Sequence, residues 1–165
     1  MTIPVTTNYT GRQIDVELLQ SVSLPRELIS VTVSNVTDTP KIVTGIEKMV
    51  QRYATLLLSI AGTVHFDSTQ GCDLLRQIIT GQIRNIGLLQ GAFAVANSVI
   101  LRQIKADDTN TDLYGSIPAD ERISSAALIN ADVNYGAGII SMRIRITTEA
   151  GNDYVFVVPL PASLN

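Results

Sequence analysis

Tryptophan is absent from this chain, cysteine and histidine occur once each, and lysine occurs only three times. The single cysteine, Cys72, excludes an intrachain disulfide and reads as a small buried apolar side chain. The single histidine, His65, leaves little for metal chemistry, because Asp67 and the more distant Cys72 and Asp73 do not stand at ligand spacing from it. No Gly-x-Ser-x-Gly elbow accompanies it for a hydrolytic triad. Walker and Gly-x-Gly-x-x-Gly nucleotide loops are missing as well. Asp107, Asp108 and Asp112 have no calcium-loop glycine and no terminal glutamate, so they read as solvated loop charges. No catalytic residue, metal or cofactor is expected. A small enzyme or ligand-binding domain would have to gather His65, Asp67 and Cys72 in one apolar pocket.

Clustered positive charge and long apolar runs are also lacking. A net charge of −3 argues against a nucleic-acid-binding surface. The most apolar stretch, Ile86 to Ile104, is broken by Gln90, Asn97, Arg102 and Gln103, which makes it a core helix and not a membrane span. Met1-Thr2-Ile3-Pro4 carries neither a basic nor an apolar leader, so no signal peptide is expected.

What the sequence does have is pattern. Its 165 residues suit one domain with a real core. Residues 1–10 read as an extended arm, 39–106 as a helical part and 120–160 as a β-meander. Arg12–Leu18 and Leu28–Ser34 alternate like short strands. A helix should start at Thr39-Pro40 and stop at Gly62, with Ile42, Ile46, Met49, Val50, Tyr53, Leu57 and Ile60 on its buried stripe. Cys72–Thr80 predicts a short helix, and Gln82–Ala106 a long one. Gly87 and Gly91 interrupt that last helix at about 1 kcal/mol each relative to Ala, which points to close packing on a neighbour. Arg122–Tyr135, Ile139–Thr148 and Asp153–Leu160 read as three strands joined by short loops. The expected class is α+β, an antiparallel C-terminal sheet with amphipathic helices packed on one face.

Three features could meet a partner. The triplet Asp120-Glu121-Arg122 stands just before a strand, where Arg122 could pair with a partner's acidic side chain or fix its backbone. Arg143 and Arg145 share the polar face of the following strand and could face an acidic partner. The last strand, with Tyr154, Phe156 and Val158, is expected at a sheet edge, where another protein's strand could add. Nine arginines against three lysines fit forked contacts in an assembly.

These stretches resemble the W-protein-like baseplate wedge proteins of contractile-tailed phages, a family that includes the sheath initiator and its type VI secretion counterpart. The likeness runs from about residue 40 to 160. It rests on Leu56–Thr63 leading into a Gly turn, on Phe66–Leu75 with its Gly-x-x-Leu helix start, and on Asp120-Glu121-Arg122-Ile123 standing where the family has Glu-Pro-Arg-Ile. Asp120 then takes the place of the Glu, and Glu121 that of the Pro. The resemblance implies a structural protein of the virion tail baseplate, assembled in the bacterial host cytoplasm. In that family the sheet templates the first sheath ring by β-strand augmentation. The implied partners are sheath subunits, baseplate wedge proteins and the tail tube, with multiple copies around a sixfold tail axis and no nucleic acid or membrane. A head-tail connector, tail-tube or tail-completion protein is the alternative within the same structural class.

Overall fold

A three-stranded antiparallel meander, its strands adjacent in chain order, forms the C-terminal part of the fold. The computed structural model describes residues 15–16, 20–22, 28–30, 42–63, 67–109, 117–134 and 138–161. Four short strands come first: β1 (Asp15–Val16), β2 (Gln20–Val22), β3 (Leu28–Ser30) and β4 (Ile42–Val43). They pair as β1 with β4 and β2 with β3. Helices α1 (Gly45–Leu58), α2 (Leu74–Ile79) and α3 (Ile86–Asp108) follow, and then β5 (Ile123–Asn134), β6 (Ile139–Thr148) and β7 (Asp153–Pro161). The class is α+β. The expected arm at 1–10, His65, Asp112 and the helix start at Thr39-Pro40 lie outside the described residues.

The strands alternate as their sequence demands. Ile140, Met142, Ile144 and Ile146 of β6, and Phe156, Val158 and Leu160 of β7, point into the core. β5 is less regular because its pairing with β6 shifts register between Ile123 and Ser125 and again between Leu128 and Asn130. Each shift inserts one residue, so the buried positions fall at Ile123, Ala126 and Ala131 instead of every second residue. On the other side of the core, α1 contributes Met49, Val50, Tyr53 and Leu57, while α3 contributes Leu89, Phe93, Ala96, Ile100 and Ile104. α3 packs mainly against β5, and α1 touches both α3 and β7.

Three helix expectations need correction. α1 starts at Gly45, because Ile42 and Val43 are drawn into the ladder with β1, and it ends at Leu58. Ile60 instead makes a parallel bridge to Cys72. Asp107 and Asp108 are not loop charges: α3 runs through them, and together they grip Arg52 of α1. Finally, Gly87 and Gly91 do not mark close packing among the described residues. Both are exposed, and a Cβ built on Gly91 meets nothing within 4 Å.

Gly71 is where a glycine is needed. Its φ is +91°, and an added Cβ would lie 2.5 Å from the Ser59 carbonyl oxygen. That approach lets Cys72 N–H donate to Ser59 O at 2.9 Å. Gln103 of α3 closes over the same turn, donating to Thr69 O and Gly71 O and accepting from Gly71 N–H. The Gly-x-x-Leu signature is therefore a backbone contact followed by the buried Leu74.

Candidate functional site

The charged triplet is a junction of the fold. Glu121 is 2% exposed, and its Oε1 accepts the Gly45 N–H at 3.2 Å, at the start of α1. Lys48 Nζ lies 3.7 Å from Oε2. A helix N-terminus presents unpaired N–H groups and a partial positive charge, so a carboxylate belongs there. Arg122, one residue on, points to solvent and pairs with Glu149 at 2.9 Å. Two backbone bonds strengthen that contact, from Glu149 N–H to Arg122 O and from Ala150 N–H to Ala119 O. The triplet thus ties the β6–β7 turn and the head of α1 to the entry of β5. Asp120 is half-buried between them. The carboxylate expected to pair with Arg122 in a partner is one of the chain's own, Glu149, whereas position 121, where the resembled family has a Pro, holds the buried acid. The sequence offers all three charges as partner contacts, whereas the fold sends Glu121 inward and Arg122 outward.

Arg143 and Arg145 sit on the outer face of the central strand, opposite Val157 and Val155 of β7. Tyr154 is half-buried, while Phe156 and Val158 are 1% and 3% exposed. Phe156 meets Tyr53 edge-on, with ring centroids 6.2 Å apart. These last two side chains are committed to the core, so what β7 can offer a partner at those positions is backbone.

The backbone phase of β7 follows from its prolines. Pro159 and Pro161 pair with Ser141 and Ile139. Proline has no N–H, so these must be the non-hydrogen-bonded pairs of the ladder. The β6–β7 register runs without a shift, which puts Val155 and Val157 in the same phase. The hairpin end agrees, since Thr148 N–H donates to Asn152 O. Hence the backbone N–H and C=O groups of Asp153, Val155 and Val157 point away from β6, to the outer edge of the sheet. At Pro159 and Pro161 only the carbonyls do so. The edge can receive a strand along its first half and refuses one along its second. β3 packs against β7 from the N-terminal side of the chain.

The opposite border of the sheet is treated differently. Asn97 of α3 donates to the Ala126 carbonyl of β5 at 2.9 Å, and both register shifts lie in this strand. A bulged strand with a side chain on its outward carbonyl is a poor template for pairing.

Of the alternative cluster His65, Asp67 and Cys72, only the last two are among the described residues. Asp67 is solvent-facing, and its Oδ1 accepts from both the backbone and the hydroxyl of Thr69, hydrogen bonds that hold its carboxyl below the usual carboxylate range. Cys72 is buried, its thiol pushed up by desolvation, and it donates to Leu57 O. Among the described residues no group of three His, Cys, Asp or Glu side chains could hold a metal ion. No helix among them is long and apolar enough to cross a membrane. Among known proteins, no family model matches this sequence, and no curated protein matches it at a significant level.

Proposed function

We propose that this chain is a non-catalytic structural protein of a contractile-tail baseplate, the sheath initiator that templates the first sheath ring. A sheath subunit's terminal strand adds to the outer edge of β7, and wedge proteins hold the rest of the molecule in place. Copies arranged around the sixfold tail axis make weak individual contacts cooperative. The observation that carries this reading is the outer edge of β7, which pairs with no strand among the described residues and has outward backbone groups at Asp153, Val155 and Val157 and a proline stop at Pro159. Such an edge sets both the length and the register of an added strand. The order of elements supports it too, since helix, Gly turn, short helix, long helix, charged triplet and sheet follow one another as in the resembled family. An entering strand meets β3, which must extend the sheet with it or give way.

Truncation is a poor test, because β6 and β7 carry a large share of the core. Val157→Pro is a better one. It removes one outward N–H and leaves every hydrogen bond between β6 and β7 in place. In particles reconstituted with the cognate tail proteins, the variant should enter the baseplate and fail to start a sheath, and a crosslinker at residue 155 should reach a sheath subunit. Sheaths of normal yield and length on Val157→Pro baseplates would overturn the proposal, as would a crosslink to portal or tube protein alone.

A further inference from the structure

A second surface, unrelated to the β7 edge, lies along α3. Leu88 and Val95 are 50% and 66% exposed, and Ile79 and Ile86 are also open to solvent. Beside them runs a groove of about 400 Å³, lined by Gln77, Ile83, Gly87, Leu88, Gly91 and Val95 among others. A Cβ on Gly87 would meet only the helix-capping Asn85 Oδ1, at 3.4 Å, an ordinary van der Waals contact. A Cβ on Gly91 would meet nothing within 4 Å. That exposed helical position would accept alanine without a contact, and alanine favours the helix. A local rule broken with no compensation among the described residues points to a partner.

The charge around this face is one-sided. Between Leu74 and Ala106 the sequence contains Arg76, Arg84, Arg102 and Lys105 and no acidic residue, although the whole protein is net −3. All four cations are exposed. Arg76 is held by Asp73 and the Ala61 carbonyl, whereas Arg84 stands just before the groove and Arg102 continues its stripe beyond Val95 and Ser98. Cations therefore flank an apolar recess spanning roughly 25 Å at the helical rise of 1.5 Å per residue.

We infer that this groove docks an amphipathic helix of a partner protein, one with an apolar ridge flanked by carboxylates. A protruding ridge fills the recess at Gly87 and Gly91, with Leu88 and Val95 as its walls, in the manner of helix-in-groove recognition. Carboxylates on either side meet Arg84 and Arg102. A second copy of this chain would set like charges against each other, and a lipid surface offers no ridge to fill the recess.

The test uses the full chain and a synthetic helical peptide with a Leu/Ala ridge flanked by Glu, followed by NMR of the protein amides. The Glu peptide should shift the Gly87, Gly91 and Val95 amides saturably. Gly91→Leu, Arg84→Glu with Arg102→Glu, or Lys in place of the peptide's Glu should each weaken binding by roughly tenfold or more. Gly91→Ala should raise Tm by about 2–4 °C while weakening the peptide, which separates docking from folding. Absence of saturable shifts on α3, or binding indifferent to Gly91→Leu, overturns the inference. So does a dimer of the free chain that Gly91→Leu disperses, or binding to phosphatidylglycerol vesicles that the same change abolishes.

Discussion

The hydroxyl of Tyr53 donates to Asn97 Oδ1 at 2.7 Å, and Asn97 Nδ2 in turn donates to the Ala126 carbonyl at 2.9 Å. One side chain of α3 thus satisfies a buried phenol of α1 and closes the outer border of β5. The same contact that completes the core leaves β7 as the border suited to strand addition.

Alkaline stability tests this relay. Burial raises the Tyr53 pKa far above its usual 10.0, so the folded state keeps the phenol neutral. Below pH 10 both states hold the proton and nothing changes. Above it the unfolded chain loses the proton first, and stability falls by up to about 1.4 kcal/mol per pH unit until the folded phenol titrates. Tyr53→Phe should lack this component. It should cost about 1–2 kcal/mol at neutral pH through the lost hydrogen bond, and the gap to the parent should narrow in urea titrations as the pH rises from 9 to 11. A constant gap would place the titrating group elsewhere.

Gly71→Ala should be among the most damaging single changes. It combines a left-handed φ with a Cβ driven against the Ser59 carbonyl, a backbone atom that cannot rotate away. The expected loss is roughly 2–5 kcal/mol, read from urea midpoints, and the Cys72 thiol should become open to alkylation as the turn loosens. Gly62→Ala is the control: its φ is also positive, at +85°, but nothing lies within 4 Å, so only the conformational cost of about 1–2 kcal/mol remains.

The meander was legible in the sequence because a half-buried strand writes its period plainly. Ile140 to Thr147 alternates in the chain as it does in the fold, whereas Tyr154 to Leu160 is apolar throughout and takes its inward face from its pairing with β6. β5 was readable as a strand but not in its inward set, since its two register shifts break the period that would reveal them. The start of α1 was misplaced because Thr39-Pro40 is a good local cap signal, while the pairing of Val43 with Asp15 is a long-range fact that outweighs it. Asp107 and Asp108 looked like loop charges for a similar reason: their partner, Arg52, lies far away in sequence. Among the candidate contact residues, nothing in the apolar run Tyr154–Leu160 separates Phe156 and Val158 from Val155 and Val157, but the two prolines could have marked the phase of the edge.

That arginine clamp makes a third prediction. Nη1 of Arg52 reaches Asp108 at 2.6 Å and Nη2 reaches Asp107 at 2.8 Å, so one planar fork spans two adjacent carboxylates. Lysine cannot do this. Arg52→Lys should cost about 1–2 kcal/mol by urea denaturation. Asp108, only 9% exposed, should show most of the coupling in a double-mutant cycle, whereas Asp107 at 43% exposure should show under about 1 kcal/mol. Equal coupling to both acids would mean that burial does not set the strength of this contact.

The sharpest contrast lies between the neighbours Glu121 and Arg122. Glu121→Ala strands the Gly45 N–H in the interior and removes the carboxylate beside Lys48, at an expected cost of about 2–4 kcal/mol. Glu121→Gln keeps an acceptor for Gly45 and should lose less. Arg122→Ala removes only the exposed pair with Glu149, in which both side chains are 44% accessible, so its cost should stay within about 1 kcal/mol and shrink further in high salt. The backbone bonds between the β6–β7 turn and residues 119–122 should survive, visible as unchanged amide exchange at Glu149 and Ala150. If Arg122→Ala instead exposes those amides, the ion pair itself holds the turn in place. If the amides stay protected and the stable Arg122→Ala chain still fails to bind the wedge proteins proposed as its partners, the guanidinium touches a partner directly.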